Sequence, residues 1–179
     1  MNGSQTFLAA GIGLCWILSA CGSTSDPVRA GSEPSVGSQT GTPCVPDDES
    51  HPEFSAFQSG EVVIGEDDEC GPREFCIVNH YQGRVSCPEG QTEEQAASNP
   101  VCTLVGSNDP VTVAVPPELA DRPAVDAVYC SCRCDGPPGV TDSCTCPTGF
   151  VCTPLIEQVA GMTDDYAGSY CVKSSAPAP

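Results

Sequence analysis

The sequence has 179 residues with 24 acidic and 6 basic side chains, a formal net charge of −18, and 14 cysteines. That length is one domain's worth, and charge of that sign and size repels phosphate backbones, which argues against nucleic acid as a partner. The single Trp, Trp16, lies within the first twenty residues, so the remainder has a thin core whose shortage of burial disulfides would offset.

The chain opens on an apolar run at residues 7–18, ending at Leu18-Ser19-Ala20-Cys21. Its 12 residues suit a signal-peptide core and are too short for a hydrocarbon layer of about 30 Å. Leu18-Ser19-Ala20-Cys21 resembles the lipobox of bacterial lipoproteins: a short apolar residue and two small ones before a cysteine. The resemblance implies that residues 1–20 are a removed signal peptide, that the Cys21 thiol receives a diacylglyceryl group, and that the freed amine is acylated. Each buried lipid methylene then contributes about 0.8 kcal/mol of membrane affinity, so the expected partner at this end is a membrane. Gly22, rather than Asp, follows the cysteine; in Gram-negative lipoproteins that implies transfer to the outer membrane, on its periplasmic or surface face. The leading residues 1–6 carry no Lys or Arg, so only the terminal amine supplies positive charge there.

Setting aside Cys15 with the signal and Cys21 with the lipid leaves twelve cysteines: Cys44, Cys70, Cys76, Cys87, Cys102, Cys130, Cys132, Cys134, Cys144, Cys146, Cys152 and Cys171. An even set at this density in an exported chain is expected to form a disulfide scaffold. The expected organisation is a lipidated N-terminus and flexible acidic tether at 21–59, a cysteine-rich domain at 60–174, and a loose end at 175–179. Residues 22–43 are rich in Gly, Ser, Thr and Pro, a random coil with a reach of about 25 Å. Phe54 and Phe57 are expected to lie against the domain, with Cys44 stapling the approach to it.

Short strands and turns follow. Residues 61–64 are expected to form a small apolar strand, followed by the acidic knot Glu66-Asp67-Asp68-Glu69. Residues 75–81 and 84–87 suggest a hairpin around Gln82-Gly83, in which Cys76 and Cys87 share a face. One or two helical turns fit 91–98. Residues 111–115 place three valines on one face of a strand, and a Pro-bearing loop spans 116–124. The clearest period is at 126–134, where Val128, Cys130, Cys132 and Cys134 alternate with Tyr129, Ser131 and Arg133. Cysteines two apart on a strand sit about 6.5–7 Å apart, at the limit for bonding to each other, so they should pair outward, with Cys144, Cys146, Cys152 or Cys171 near. The turn Asp135-Gly136-Pro137-Pro138-Gly139 would fold Cys144 and Cys146 back alongside. A short helix is expected at 155–160 and a closing strand at 168–173. The fold class is therefore small, disulfide-rich and mostly β with irregular loops and little helix.

Chemistry-bearing motifs are few. Cys-x-Cys spacing occurs in metal thiolate clusters, but zinc ribbons and redox dithiols use Cys-x-x-Cys, which is absent from the sequence; no metal and no cofactor is expected. Glu66–Glu69 lacks the Asp-x-Asp-x-Asp-Gly spacing that wraps Ca²⁺. His51 and His80 are the only histidines, lie on different segments, and accompany no nucleophile elbow, zincin motif or phosphate loop; no catalytic residue is assigned. Cys144-Thr145-Cys146-Pro147-Thr148-Gly149-Phe150 resembles the corner of EGF-like modules, although Cys152 follows sooner than that module spaces its last cysteine. Cys130-Ser131-Cys132-Arg133-Cys134-Asp135-Gly136-Pro137 and Gly168-Ser169-Tyr170-Cys171-Val172 resemble segments of uncharacterised cysteine-rich lipoproteins of Gram-negative bacteria, which carry no activity across. The expected function is a lipid-anchored, non-enzymatic envelope module for binding or surface structure. The alternatives are an envelope enzyme with an acidic site and a metal-binding thiolate protein.

Overall fold

The computed structural model describes residues 38–66, 69–136, 143–157 and 166–174. The signal, lipobox, Cys21 and residues 22–37 of the tether therefore lie outside the described residues. So do Asp67 and Asp68 of the acidic knot, Pro137–Gly139 of the turn and the loose end at 175–179.

Five antiparallel strands make one sheet: β1 (Val62–Glu66), β2 (Glu74–Asn79), β3 (Val128–Asp135), β4 (Phe150–Ile156) and β5 (Gly168–Lys173), in spatial order β1-β2-β3-β5-β4. Among the described residues, helix is confined to α1 (Glu93–Ser98), α2 (Ala124–Ala127) and a 3-10 turn at Asp47–Ser50. The protein is thus small, disulfide-rich and β-dominated. β1 lies one residue from the expected start, and β5 covers the expected closing strand, slotted between β3 and β4. α1 forms because Thr92 accepts from the Gln95 amide while the Gln95 side chain accepts from the Thr92 amide. That reciprocal cap satisfies two of the helix's orphan N–H groups.

β3 is the middle strand and is covered on both faces. Cys76 stands opposite Cys130 and Val78 opposite Val128; this face packs with Cys44, Cys70, Phe57, Tyr81 and Ala127. On the other face Ile77 stands opposite Tyr129 and packs with Tyr170, Phe75 and Phe150. There, Tyr129 meets Phe150 edge-on at 5.7 Å and Phe75 meets Tyr170 at 5.9 Å, the geometry that the aromatic quadrupole favours. The first of these cores thus holds sulfur beside Phe57 and Tyr81, and the second is built from aromatic and aliphatic side chains without cysteine.

Residues 44–57 are integral to this packing: Cys44, Ala56 and Phe57 are buried, and Phe54 and Phe57 pack 4.8 Å apart. Ahead of them, Gly41 donates to the Cys130 carbonyl and the Cys130 amide donates to Thr42, both at 2.8 Å. The leading segment therefore occupies an edge of β3 near the point where β5 pairs with Arg133 and Asp135. Glu74 fixes it from β2, accepting from the Ser38 and Thr40 hydroxyls and the Gln39 amide.

Three expectations are corrected. The hairpin around Gln82-Gly83 does not form. β2 ends at Asn79, His80 takes a positive φ of 54°, and Arg84 bridges Cys87 in a turn of its own. The cause is Arg84, whose buried guanidinium is drawn towards residues 49–54. Residues 111–115 join no named strand: Val115 makes a single bridge to Gln91, and Val111, Val113 and Val115 instead pack with Cys87, Cys102 and Leu104 in a separate small core. Leu155 and Ile156 close β4 rather than starting a helix; residues 158–160 lie outside the described set.

Candidate functional site

All twelve cysteines from Cys44 to Cys171 are bonded among themselves. The pairs are Cys44–Cys76, Cys70–Cys130, Cys87–Cys102, Cys132–Cys144, Cys134–Cys152 and Cys146–Cys171. The β3 cysteines do pair outward. Cys132 and Cys134 take downstream partners, whereas Cys130 reaches back to Cys70, because Cys70 sits in the loop from β1 to β2 against the same face. Cys76 and Cys87, placed together by the hairpin expectation, belong to different bridges. Cys144 is brought beside β3, its amide donating to the Arg133 carbonyl at 2.9 Å.

The bridges are crowded where β3, β4 and β5 meet. Cys144 Sγ lies 3.6 Å from Cys171 Sγ, and Cys132 Sγ lies 3.9 Å from it. The sulfurs of Cys134, Cys146 and Cys152 also lie within 4.8 Å of one another, as do those of Cys132, Cys144 and Cys171. Three sulfurs at such distances match the donor set of a soft-metal site. Each of them is already committed to a disulfide, which supplies no thiolate for a metal. The spacing of Cys130-Ser131-Cys132-Arg133-Cys134 and Cys144-Thr145-Cys146 pointed to this region, but the stacking of neighbouring bridges depends on strand register and has no signature in the spacing.

Buried charge is spent internally. The Glu49 carboxylate, fully buried, accepts from the Val85 and Ser86 amides at 2.6 and 2.9 Å and from the Ser86 hydroxyl at 2.6 Å. Arg84, equally buried, donates to the carbonyls of Glu49, His51 and Phe54 and lies 3.8 Å from the Glu49 carboxylate. Burial lowers the Arg84 pKa, and Glu49 opposes that shift. Arg122 donates twice to the Asn79 carbonyl, capping the end of β2. Burial also raises the phenol pKa of Tyr81, helped by the Glu118 and Glu49 charges, and that of Tyr129.

Among the described residues, one open groove of about 460 Å³ is lined by Val45, Pro46, Asp47, Ser50, Glu66, Glu69 and Val105. Glu66 and Glu69 belong to the acidic knot; the 3-10 turn at Asp47–Ser50 supplies the opposite wall, which the sequence did not single out. Of the two histidines, His51 is exposed, and His80 is half-buried with Nδ1 3.2 Å from the Ser59 carbonyl. Among the described residues no helix is long and apolar enough to cross a membrane. Compared with known proteins, the chain matches no family, no curated protein and no solved structure.

Proposed function

We propose that this protein is an exported envelope lipoprotein, held to a membrane through lipid on Cys21, whose disulfide-bonded β domain works by binding rather than by catalysis. One observation carries the export reading. The twelve cysteines that remain once Cys15 and Cys21 are set aside pair completely with one another. Six bridges fit an extracellular or exported protein, because cytosolic thiols are kept reduced. The lipobox resemblance of Leu18-Ser19-Ala20-Cys21 supports the anchor, and Gly22 supports the outer membrane of a Gram-negative cell.

The binding reading is supported by where polarity is spent. Glu49, Arg84, Asn79 and Arg122 are consumed in internal bonds, while the acidic groove and a net charge of −18 face outward. A surface of that sign attracts cationic partners and repels polyanions.

Intact mass of the membrane-extracted protein tests the anchor. The expected mass lacks residues 1–20 and gains diacylglyceryl and acyl groups, and Cys21→Ser leaves the membrane fraction or stays unprocessed. A wild-type chain carrying an unmodified Cys21 would overturn the proposal.

A further inference from the structure

The three crowded bridges differ in access, and the difference is graded. Cys152 is the only exposed residue among the twelve bonded cysteines. Its partner Cys134 is half-buried, as are Cys146 and Cys144. Cys132 and Cys171 are buried, the latter completely. Sulfur contacts run in the same direction, from the group of Cys152, Cys134 and Cys146 within 4.8 Å to the group of Cys171, Cys144 and Cys132 within 4.8 Å. The Cys146–Cys171 bridge has one sulfur in each group. No bridge outside this cluster presents an exposed cysteine.

We infer that these three disulfides form one thiol–disulfide exchange relay that takes a dithiol at Cys152 and passes the opening inward to Cys132. Exchange is the in-line attack of a thiolate on a disulfide sulfur. The sulfurs that meet at the second step lie within 4.8 Å. At the third, the freed Cys171, 3.6 Å from Cys144 and 3.9 Å from Cys132 in the oxidised protein, must turn from beside that bond into line with it. A thiolate of the dithiol attacks Cys152 Sγ, forming a mixed disulfide and releasing Cys134 as thiolate. Cys134 attacks Cys146, forming Cys134–Cys146 and releasing Cys171. Cys171 attacks Cys144 across the 3.6 Å contact, forming Cys144–Cys171 and releasing Cys132. The second thiol of the dithiol then resolves the mixed disulfide, leaving as a cyclic disulfide and freeing Cys152. Two electrons pass from the dithiol to the protein, which finishes with two thiols, at Cys132 and Cys152, and two rearranged bridges. Cys44–Cys76, Cys70–Cys130 and Cys87–Cys102 take no part.

The test is partial reduction of the full-length oxidised protein with an equimolar small dithiol, followed by acid quench, alkylation and non-reducing peptide mapping with fragmentation between Cys144 and Cys146. The expected products carry label on Cys132 and Cys152 together, with Cys134–Cys146 and Cys144–Cys171 linked peptides. In the double variant Cys134→Ser, Cys152→Ser, opening of Cys132–Cys144 should slow by about tenfold or more, since attack must then fall on less accessible sulfur. Opening of Cys87–Cys102 should be unchanged and reports any general loosening. Label on Cys134 and Cys152 alone, opening of Cys132–Cys144 at the wild-type rate in the variant, or simultaneous labelling of all twelve cysteines would each overturn the relay.

Discussion

Arg84 shows how one side chain can redirect a segment. Residues 75–87 have the alternation of a hairpin, and local propensity alone would fold them so. A buried guanidinium needs several acceptors, and the carbonyls of Glu49, His51 and Phe54 supply them; Phe54 adds its ring face 5.6 Å from the guanidinium carbon. Meeting that requirement outweighs the pairing of two short strands. Arg84→Met keeps much of the volume but strips Glu49 of its buried counter-charge. The expected loss is about 3–5 kcal/mol, the usual cost of breaking one side of a buried ion pair. It is measured as a lowered urea midpoint at unchanged slope; a loss below about 1 kcal/mol would mean that the pair behaves as an exposed one.

Among the elements, β3 and β5 were legible because their signals are local: a period of two over 128–134 and a compact apolar end at 168–173. The helical turn at α1 was legible for the same reason. What the sequence could not convey was partner choice. Whether residues 111–115 join the sheet depends on Gln91, whose side-chain amide donates to the Val111 and Val113 carbonyls while its carbonyl accepts from the Val101 and Cys102 amides. One glutamine therefore replaces a neighbouring strand. The approach of Val115 to this region also fixes Gly90, which has φ of 69° and where a Cβ would lie 2.4 Å from the Val115 carbonyl oxygen and 2.7 Å from the Pro117 nitrogen. Gly90→Ala is expected to cost at least about 1–3 kcal/mol from backbone strain alone, seen as a lower melting temperature. An unchanged melting temperature would show that the 88–91 turn is free to move away.

At the scale of the whole molecule, the bridges substitute for core. In the loop-entropy account, a separation of 60 residues at Cys70–Cys130 and of 12 at Cys132–Cys144 contributes about 4 and about 3 kcal/mol respectively. Protein purified without reductant should therefore take up no alkylating agent on these twelve cysteines until it is reduced. Full reduction should then abolish its resistance to heat and protease; a reduced protein that keeps its melting temperature would refute the substitution. The pairings also have a mechanical meaning. From Cys44 a covalent path crosses to Cys76, runs back along the backbone to Cys70, crosses to Cys130, moves to Cys132, crosses to Cys144, moves to Cys146 and crosses to Cys171. A pull applied between the two ends of the domain travels this shortcut and leaves most of the backbone between residues 44 and 171 slack. Stretched singly, the oxidised domain should lengthen by at most on the order of 50 Å, and the reduced one by several hundred, at roughly 3.5 Å per residue. Long extension of the oxidised form would contradict that path. Under tension, then, the domain behaves less like a folded chain than like a short length of chain-link, able to carry load without unravelling.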